Sequence, residues 1–224
     1  MPILSAQGLT WSPEQDGTPL FEDVELNVEA GERVIITGHS GSGKSTLLRC
    51  LTLLEPVQRG EVLWRGERVT AENVRHYRNR VVSVQQRPVA IAETIDENLR
   101  FSQKITRELS GGKVEPLSDE EQDALLDRLG LSEIGRERRF EDLSVGEQQR
   151  VALVRCLTPQ PDILLLDEPT ASLDPTNVGV VEELLLEYLA EKSTERALIW
   201  ISHHPDQIER LEGRVVSMEE LKQS

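Results

Sequence analysis

A chain of 224 residues is long enough for one large domain, or for a domain that carries an inserted lobe. Hydrophobic residues make up 38 % and charged residues 29 %, which is enough apolar material for a core and excludes wholesale disorder. Acidic residues outnumber basic ones 40 to 25, for a net charge of −15. A surface this negative repels phosphodiester backbones, so the composition disfavours nucleic-acid binding.

The sequence contains no candidate membrane span. Its longest uninterrupted apolar runs, 163–166 and 197–201, have four and five residues, whereas a membrane-spanning helix needs about 20. The first residues lack the basic start and long apolar stretch of a signal peptide. Cys50 and Cys156 form no C-x-x-C pair, which is typical of a reducing compartment. We therefore expect a soluble, cytoplasmic protein.

The predicted elements alternate between strands and helices at both ends of the chain. Alternating apolar and polar residues over 20–28 predict an antiparallel strand with one wet face. The other predicted strands are 33–37, a hairpin over 61–69 that turns at Gly66, 81–84, 162–168, 197–201 and 214–217. Helices are predicted at about 44–54, 119–129, 146–157 and 177–192. Residues 102–120 are polar and turn-rich and are expected to form a variable surface segment. This order predicts a parallel-sheet core with a helical lobe inserted in it.

A glycine-rich loop links the predicted strand 33–37 to the next helix. Residues 38–46 satisfy the pattern G-x-x-x-x-G-K-[ST]. The glycines let successive N–H groups point at one centre, and the helix start adds its positive end. The pattern predicts a phosphate cradle made of Gly38, His39, Ser40, Gly41, Ser42, Gly43, Lys44, Ser45 and Thr46. In it Lys44 reaches the β- and γ-phosphates, Ser45 holds Mg²⁺, and Thr46 donates to the α-phosphate.

Two acids end the apolar strand predicted at 162–168. Asp167 and Glu168 fall at its carboxyl edge, where α/β sheets bind ligands. We expect Asp167 to orient the water ligands of Mg²⁺ and Glu168 to take a proton from the attacking water. An ordinary acidic strand end before the Pro169 turn is the alternative. The phosphate loop 129 residues upstream favours the catalytic interpretation.

The string LSVGEQQR at 143–150 resembles the LSGGQ signature of ATP-binding-cassette (ABC) ATPases. The resemblance covers essentially the whole chain, with the phosphate loop, a glutamine loop, the signature, the two acids, SerLeuAsp at 172–174 and a final histidine in the family's order. It implies an α/β fold: a P-loop NTPase (RecA-like) parallel-sheet core with an N-terminal antiparallel β subdomain and an inserted helical subdomain. It also implies a single domain over 1–224, with its core at about 1–90 and 151–224 and its lobe at about 91–150.

The resemblance assigns roles to residues outside the phosphate loop. Gln86 matches the glutamine that contacts Mg²⁺ and joins the core to the lobe, with Gln85 as the alternative. Ser144 and Gly146 match the groups that bind the γ-phosphate held by a second subunit. Asp174 matches the loop that links the two sites across that dimer.

For two of these roles the sequence offers an alternative residue. His203 matches the switch histidine on the γ-phosphate, and His204 stands where the family often has aspartate. Trp11 is the candidate ring for stacking on adenine. Ser12 is the alternative position for that ring, and packing over the N-terminal sheet is the alternative role for Trp11.

The signature departs from the family pattern. Val145 replaces its first glycine, and Glu147 stands where glutamine is commoner. A second string, LeuSerGlyGly at 109–112, matches the consensus better in letters. We reject it because no amphipathic helix follows and because Ser110 lies 57 residues before Asp167, whereas Ser144 lies 23 before it, the family's usual spacing.

The resemblance implies an ATPase that uses ATP and Mg²⁺ and drives a transmembrane permease subunit by ATP-dependent dimer closure. The dimer would be a homodimer or a paired cassette, cytoplasmic and peripheral on the inner face of the cell membrane. A non-transport ABC ATPase acting on nucleic acid or ribosomes is the alternative, which the net charge and the single cassette disfavour. Within transporters, metal or iron export and phosphate or amino-acid import both stay open.

Overall fold

The computed structural model describes residues 1–14 and 17–222. The strands are β1 (Leu4–Trp11), β2 (Phe21–Val28), β3 (Arg33–Thr37), β4 (Arg59–Trp64), β5 (Glu67–Arg68), β6 (Val81–Val84), β7 (Ile163–Asp167), β8 (Ala197–Ile201) and β9 (Arg214–Ser217). The helices are α1 (Lys44–Leu51), α2 (Val74–Arg80), α3 (Ile95–Ser110), α4 (Asp119–Arg128), α5 (Val145–Leu157), α6 (Pro175–Glu191), α7 (Pro205–Leu211) and α8 (Met218–Leu221), with a 3-10 turn at Phe140–Asp142. None of these described helices is long and apolar enough to cross a membrane.

The chain divides into two compact units. The first comprises Met1–Ser83, Asp162–Asp167 and Leu189–Ser224, and the second comprises Val84–Pro161 and Glu168–Tyr188. The first contains nearly all of the strand residues, and the second contains α3, α4, α5 and most of α6. The division predicted from the sequence, with a core at about 1–90 and 151–224, stays a prediction.

A five-stranded sheet in the order β6-β7-β8-β3-β9 positions the carboxyl-terminal strand ends. β3 runs parallel to β8 and β9, and β7 runs parallel to β8. In this register Ile201 lies level with both Ile36 and Asp167. The central strands are almost wholly buried on both faces, as expected for parallel strands in an α/β protein. The predicted α/β class is confirmed.

A second sheet, in the order β2-β1-β4-β5, is antiparallel. The alternation predicted over 20–28 is present in β2, which turns Phe21, Val24, Leu26 and Val28 into the core. The predicted hairpin is also confirmed, since β4 and β5 pair around Arg65 and Gly66. This sheet holds Trp11 at the end of β1.

Helices of the second unit begin at reciprocal caps. α3, α4 and α5 each start after a serine or threonine whose side chain accepts from the third helical N–H, while a glutamate at that position accepts from the cap backbone. Arg136 then joins α3 to α4, because its guanidinium bonds Asp96, Asp123 and the carbonyl of Asp119.

The expectation for residues 102–120 is wrong in its first half. α3 continues through this segment to Ser110 and stops at Gly111, which adopts the left-handed conformation. Its buried face includes polar side chains, among them Gln103 and Thr106. These are satisfied internally: Gln103 donates to the carbonyl of Leu117, and Thr106 donates to the carbonyl of Ser102. These polar residues interrupt the apolar spacing on the buried face, which weakens the sequence signal for a helix.

Candidate functional site

The phosphate loop of the first unit runs between β3 and α1, as predicted. Gly38 and Gly43 have φ angles of 143° and 104°, which favour glycine. A Cβ on Gly38 would lie 2.9 Å from Ser42 Oγ, and one on Gly43 would lie 3.1 Å from the Leu20 side chain. Gly43 occupies the position before α1, so the loop leads directly to the positive end of that helix. The backbone has the form of an anion cradle.

Two side chains line this cradle. The Lys44 ammonium folds back over the loop and donates to the carbonyls of Gly38 and His39, at 2.9 and 3.0 Å. The Ser42 hydroxyl is buried and has no hydrogen-bond partner among the described residues. A buried hydroxyl without a partner is unfavourable, so a polar ligand in the loop would satisfy it. This local chemistry fits a chain of phosphates.

His39 sits on the open side of the same loop. Its Nε2 lies 3.6 Å from Oε1 of Glu219 in α8, and both side chains are exposed. A Cβ on Gly38 would also approach Met218 and Glu219, at 3.3 and 3.5 Å. The chain segment after β9 therefore packs beside the phosphate loop.

The strand register determines where Asp167 and His203 lie. Asp167 is the last residue of β7, and it pairs with Ile201, the last residue of the neighbouring β8. His203 comes two residues after Ile201 and is exposed. Because Ile36 is level with Ile201, the phosphate loop begins at the same sheet edge. Within the first unit, the structure thus places both predicted residues at the strand ends beside the loop.

His204 has a different local role. It takes the capping position before α7, and its backbone N–H donates to Ser202 Oγ at 3.2 Å. The Ser202 hydroxyl in turn bonds Gln207 Oε1 at 2.6 Å. The backbone of His204 is thus tied to the start of a helix.

Trp11 lines an open groove of about 670 Å³ together with Ser12, Pro13 and residues 55–58. Its ring centroid lies 6.4 Å from that of Phe21. Ser12, the alternative position, is buried, and its hydroxyl donates to the carbonyl of Glu14 at 2.6 Å. Trp11 therefore lines the groove while it also packs against the core beside Phe21, and the Ser12 hydroxyl is engaged by its own turn.

In the second unit, Gln86 contacts Glu168 directly. The Gln86 side-chain amide donates to Glu168 Oε2 at 2.8 Å, across 82 residues of sequence. Glu168 has a φ of 46°, a conformation that is uncommon for a residue with a side chain and that often occurs at functional sites. The alternative residue, Gln85, instead accepts a bond from Gln149 through its backbone carbonyl. The contact with the acid belongs to Gln86.

Ser144 and Ser110 occupy opposite ends of helices. Ser144 is the cap residue at the start of α5, where backbone N–H groups favour an anion. Ser110 is the last residue of α3, where carbonyl groups disfavour one, and it is buried. The structure therefore provides anion-binding geometry at Ser144 and none at the string 109–112.

The signature helix approaches the loop that carries Asp174. A Cβ on Gly146 would lie 3.1 Å from the carbonyl oxygen of Ser172, so a larger residue there would displace the loop. The Asp174 carboxylate caps α6 by accepting from the backbone of Thr176 and from the backbone and side chain of Asn177. The Asn177 amide, followed by these backbone groups, lowers the pKa of Asp174. Asp174 is therefore an ionised helix cap.

Comparison with known proteins agrees with this geometry. The family model described as ABC transporter matches residues 21–171, which is about two thirds of the chain. The chain belongs to the ABC transporter family. Proteins of this family bind ATP, and their fold is the α/β fold that the sequence predicted.

Curated relatives of this ABC protein have varied names. Protein STAR1 of Oryza sativa subsp. japonica is 36 % identical over 94 % of this chain and 58 % of the relative. Methionine import ATP-binding protein MetN 2 of Pseudomonas aeruginosa is 36 % identical over 90 % and 59 %. The probable iron export ATP-binding protein FetA of Escherichia coli is 33 % identical over 84 % and 80 %. The chain thus spans less than three fifths of the length of the first two relatives.

Among solved structures, an ATP binding subunit of an ABC transporter superposes on the ABC chain with a TM-score of 0.81 and 26 % identity, covering 96 % of this chain and 85 % of that one. The protein cbiO1 from Clostridium perfringens, part of the complex cbiONQ, gives a TM-score of 0.74 at 26 % identity, with coverages of 96 % and 84 %.

Two polar features of this ABC chain are not predicted by the sequence analysis above. The Glu147 carboxylate accepts bonds from both the backbone N–H and the hydroxyl of Ser144. The capping-box pattern S-x-x-E at 144–147 would have revealed the backbone contact. Ser42 was predicted as part of the loop, but no sequence signal shows that its hydroxyl is buried and unpartnered.

Proposed function

We propose that this chain binds and hydrolyses ATP as the motor subunit of a transporter. The observation that carries the proposal is the phosphate loop, in which Lys44 folds over a glycine cradle that contains the buried, unpartnered Ser42 hydroxyl. ATP phosphates would take up the cradle N–H groups and displace the carbonyl bonds of Lys44. The adenine base of ATP would stack on Trp11, beside the groove that this residue lines.

Mg²⁺ fits the oxygen donors of the first unit. Ser45 is the second residue of α1, and Asp167 is the last residue of β7 at the same sheet edge. Hydroxyl, carboxylate and phosphate oxygens are the ligands that Mg²⁺ prefers. When bound, the ion would neutralise charge on the phosphates.

Hydrolysis needs a base for the attacking water, and we assign that role to Glu168. The Gln86 amide holds its carboxylate at 2.8 Å and fixes where it accepts a proton. His203 would donate to the γ-phosphate from the end of β8, where it stabilises the developing charge.

The signature would act on ATP held by a second copy of the chain or by a paired cassette. Ser144 and Gly146 present the start of α5, and Asp174 starts α6 beside it. Because a Cβ on Gly146 would lie only 3.1 Å from the Ser172 carbonyl oxygen, the start of α5 packs closely against the segment before Asp174, and the two would move together when two subunits close.

A membrane partner would couple to this cycle through the segment after Gln86. Val89 and Ile91 leave 58 % and 46 % of their surface exposed, which suits an apolar protein contact. The carbonyl of Val89 accepts a bond from Arg155 at 2.8 Å, near the end of α5. A partner that docks at Val89 would therefore be coupled through Arg155 to α5, the helix that begins at the signature. In this arrangement the chain lies on the cytoplasmic face of the membrane.

The phosphate loop is tested by the variant Lys44→Ala, with Lys104→Ala as a matched surface control. Loss of the Lys44 ammonium should abolish Mg-ATP hydrolysis and weaken nucleotide binding, because it is the mobile cation of the loop. Lys104 is exposed on α3 and faces Glu108, so its loss should leave turnover unchanged. Equal turnover in Lys44→Ala and the unmodified chain would refute the proposed site.

The partner is tested by a photo-crosslinking residue at position 89, with another at position 120 on the exposed start of α4 as the control. In membranes that contain a candidate multi-span partner, only position 89 should crosslink to that partner. Crosslinking at neither position, or equally at both, would contradict the proposed coupling surface.

A further inference from the structure

The signature serine already holds an anion from its own helix. Glu147 Oε2 accepts a bond from the Ser144 backbone N–H at 2.8 Å and from the Ser144 hydroxyl at 2.7 Å. In return the Glu147 backbone N–H donates to Ser144 Oγ at 3.3 Å. Both proton donors of Ser144 are therefore directed at one carboxylate oxygen.

The carboxylate is a true anion at neutral pH. The Ser144 hydroxyl, and after it the Ser144 backbone N–H, lower the pKa of Glu147, while partial burial opposes them. The positive charges of Arg150 and Arg138 act in the same direction as the serine. The positive end of α5 is thus already neutralised inside the subunit.

A hydroxyl has one proton, and a backbone amide has one. An incoming phosphate oxygen can receive the Ser144 donors only if the Glu147 carboxylate gives them up. If the carboxylate stayed in place, it would repel the phosphate at close range. The two anions compete for the same donors.

From this competition we infer that Glu147 is a built-in gate that opposes closure of the subunits on ATP. The inference rests on the proposed function, in which Ser144 and Gly146 bind the γ-phosphate held by a second copy. In the single subunit the Glu147 carboxylate occupies the Ser144 donors that the γ-phosphate would bind. The carboxylate must therefore leave these donors before the signature can bind the phosphate. Closure therefore requires a higher concentration of subunits than a neutral side chain at this position would require.

A cation is available for the displaced carboxylate. Arg150 follows Glu147 by three residues, a spacing that puts two side chains on the same face of a helix. Arg150 is buried as a residue, and its Nε has no hydrogen-bond partner among the described residues. Ser144 holds the Glu147 carboxylate in the single subunit, and Arg150 would be the cation to which the displaced carboxylate moves.

The test is Glu147→Gln, which removes the charge but retains a side chain that can form the same capping box. Glu121→Gln is the matched control, because Glu121 caps Ser118 at the start of α4 in the same way. Turnover per subunit is measured at saturating Mg-ATP over a range of protein concentrations. Nucleotide binding is measured separately on dilute protein, and the unfolding midpoint is measured for each variant.

Glu147→Gln should lower the protein concentration that gives half-maximal turnover by about tenfold, the order expected from removing one close repulsion between charges. Nucleotide binding to the dilute subunit should not change, and Glu121→Gln should match the unmodified chain throughout. An unchanged half-maximal concentration, or an equal fall in Glu121→Gln, would overturn the inference. Failure of the unmodified chain to bind and hydrolyse Mg-ATP would instead overturn the proposed function.

Discussion

The Gln86 amide donates a hydrogen bond to the Glu168 carboxylate, 2.8 Å away. The two residues lie 82 positions apart, yet the bond joins the glutamine loop to the acid that would accept the proton of the attacking water. A carboxylate at the end of a short side chain has several rotamers, and a fixed donor selects one of them. Gln86 is in this sense a positioning residue for the base.

Replacing Gln86 by leucine should therefore slow the chemical step more than it weakens nucleotide binding. A hydrogen bond to a charged group contributes about 1.5–3 kcal/mol, so we expect kcat to fall by about tenfold or more while KM for ATP changes little. Gln85→Leu is the control, because Gln85 accepts the bond from Gln149 through its backbone carbonyl, which the substitution retains. Steady-state kinetics on both variants show which glutamine positions Glu168. A larger loss of kcat in Gln85→Leu would assign that role to Gln85 instead of Gln86.

The sequence alone predicted those parts of the fold and of the site that are formed by contiguous residues. The phosphate loop is a contiguous pattern, and the strands on either side of the sheet centre are short apolar runs, so both could be predicted residue by residue. The Gln86–Glu168 bond could not, because it depends on how two distant segments are folded. Helix α3, for which no bounds were predicted, was missed for a different reason. Buried Gln103 and Thr106 look like surface residues until their internal hydrogen bonds are seen.

The short helices α2 and α7 are among those that the sequence did not predict. Each has seven residues, fewer than two full turns of apolar periodicity. Their positions are fixed by tertiary contacts such as Tyr77, whose buried hydroxyl donates to the carbonyl of Leu51. Arg78 similarly bonds the carbonyls of Thr52 and Leu53. Such contacts override weak local preference and leave little trace in sequence.

Ser144→Ala and Ser118→Ala form a matched pair, since both remove the capping hydroxyl of a helix in the second unit. Each should lower the free energy of unfolding by about 1 kcal/mol, measured by chemical denaturation. Only Ser144→Ala should also raise the protein concentration needed for half-maximal ATP turnover, because only Ser144 is proposed to bind the γ-phosphate. If the two variants affected turnover alike, the signature would lie elsewhere.

The Asp174 cap should make stability depend on pH. The Asn177 amide and neighbouring backbone groups hold the folded pKa of Asp174 below its value of about 3.9 in an unfolded chain. The cap therefore stabilises the fold fully above about pH 4, and this stabilisation is lost as the pH falls through the folded pKa. We expect Asp174→Ala to lower the unfolding midpoint at pH 7.

The difference between Asp174→Ala and the unmodified chain should then shrink as the pH is taken from 5 towards 3. Parallel thermal melts of the two proteins across this range provide the measurement. Glu22→Ala on β2 serves as the control, since its exposed side chain caps no helix. A midpoint difference that stays constant down to pH 3 would show that the charge of Asp174 plays no part in the cap.

The variant Glu168→Gln separates the chemistry of the site from nucleotide binding. Glutamine is nearly isosteric and can still accept the Gln86 amide through its carbonyl oxygen, but it cannot take a proton from water. Loss of a general base typically slows turnover by about 10²–10⁴-fold. The phosphate loop and the start of α5 are untouched, so ATP should stay bound between two subunits.

This trapped state should be visible as a change of mass. In size-exclusion chromatography with Mg-ATP, Glu168→Gln should run as a dimer, whereas the unmodified chain should return to a monomer as its ATP is consumed. Omitting Mg²⁺ should return the variant to a monomer, because the phosphates then lack their counter-ion. A variant that hydrolyses ATP at the unmodified rate would remove Glu168 as the base. One that stays monomeric with saturating Mg-ATP would contradict a site shared between two subunits, since nothing else in the cradle has been altered.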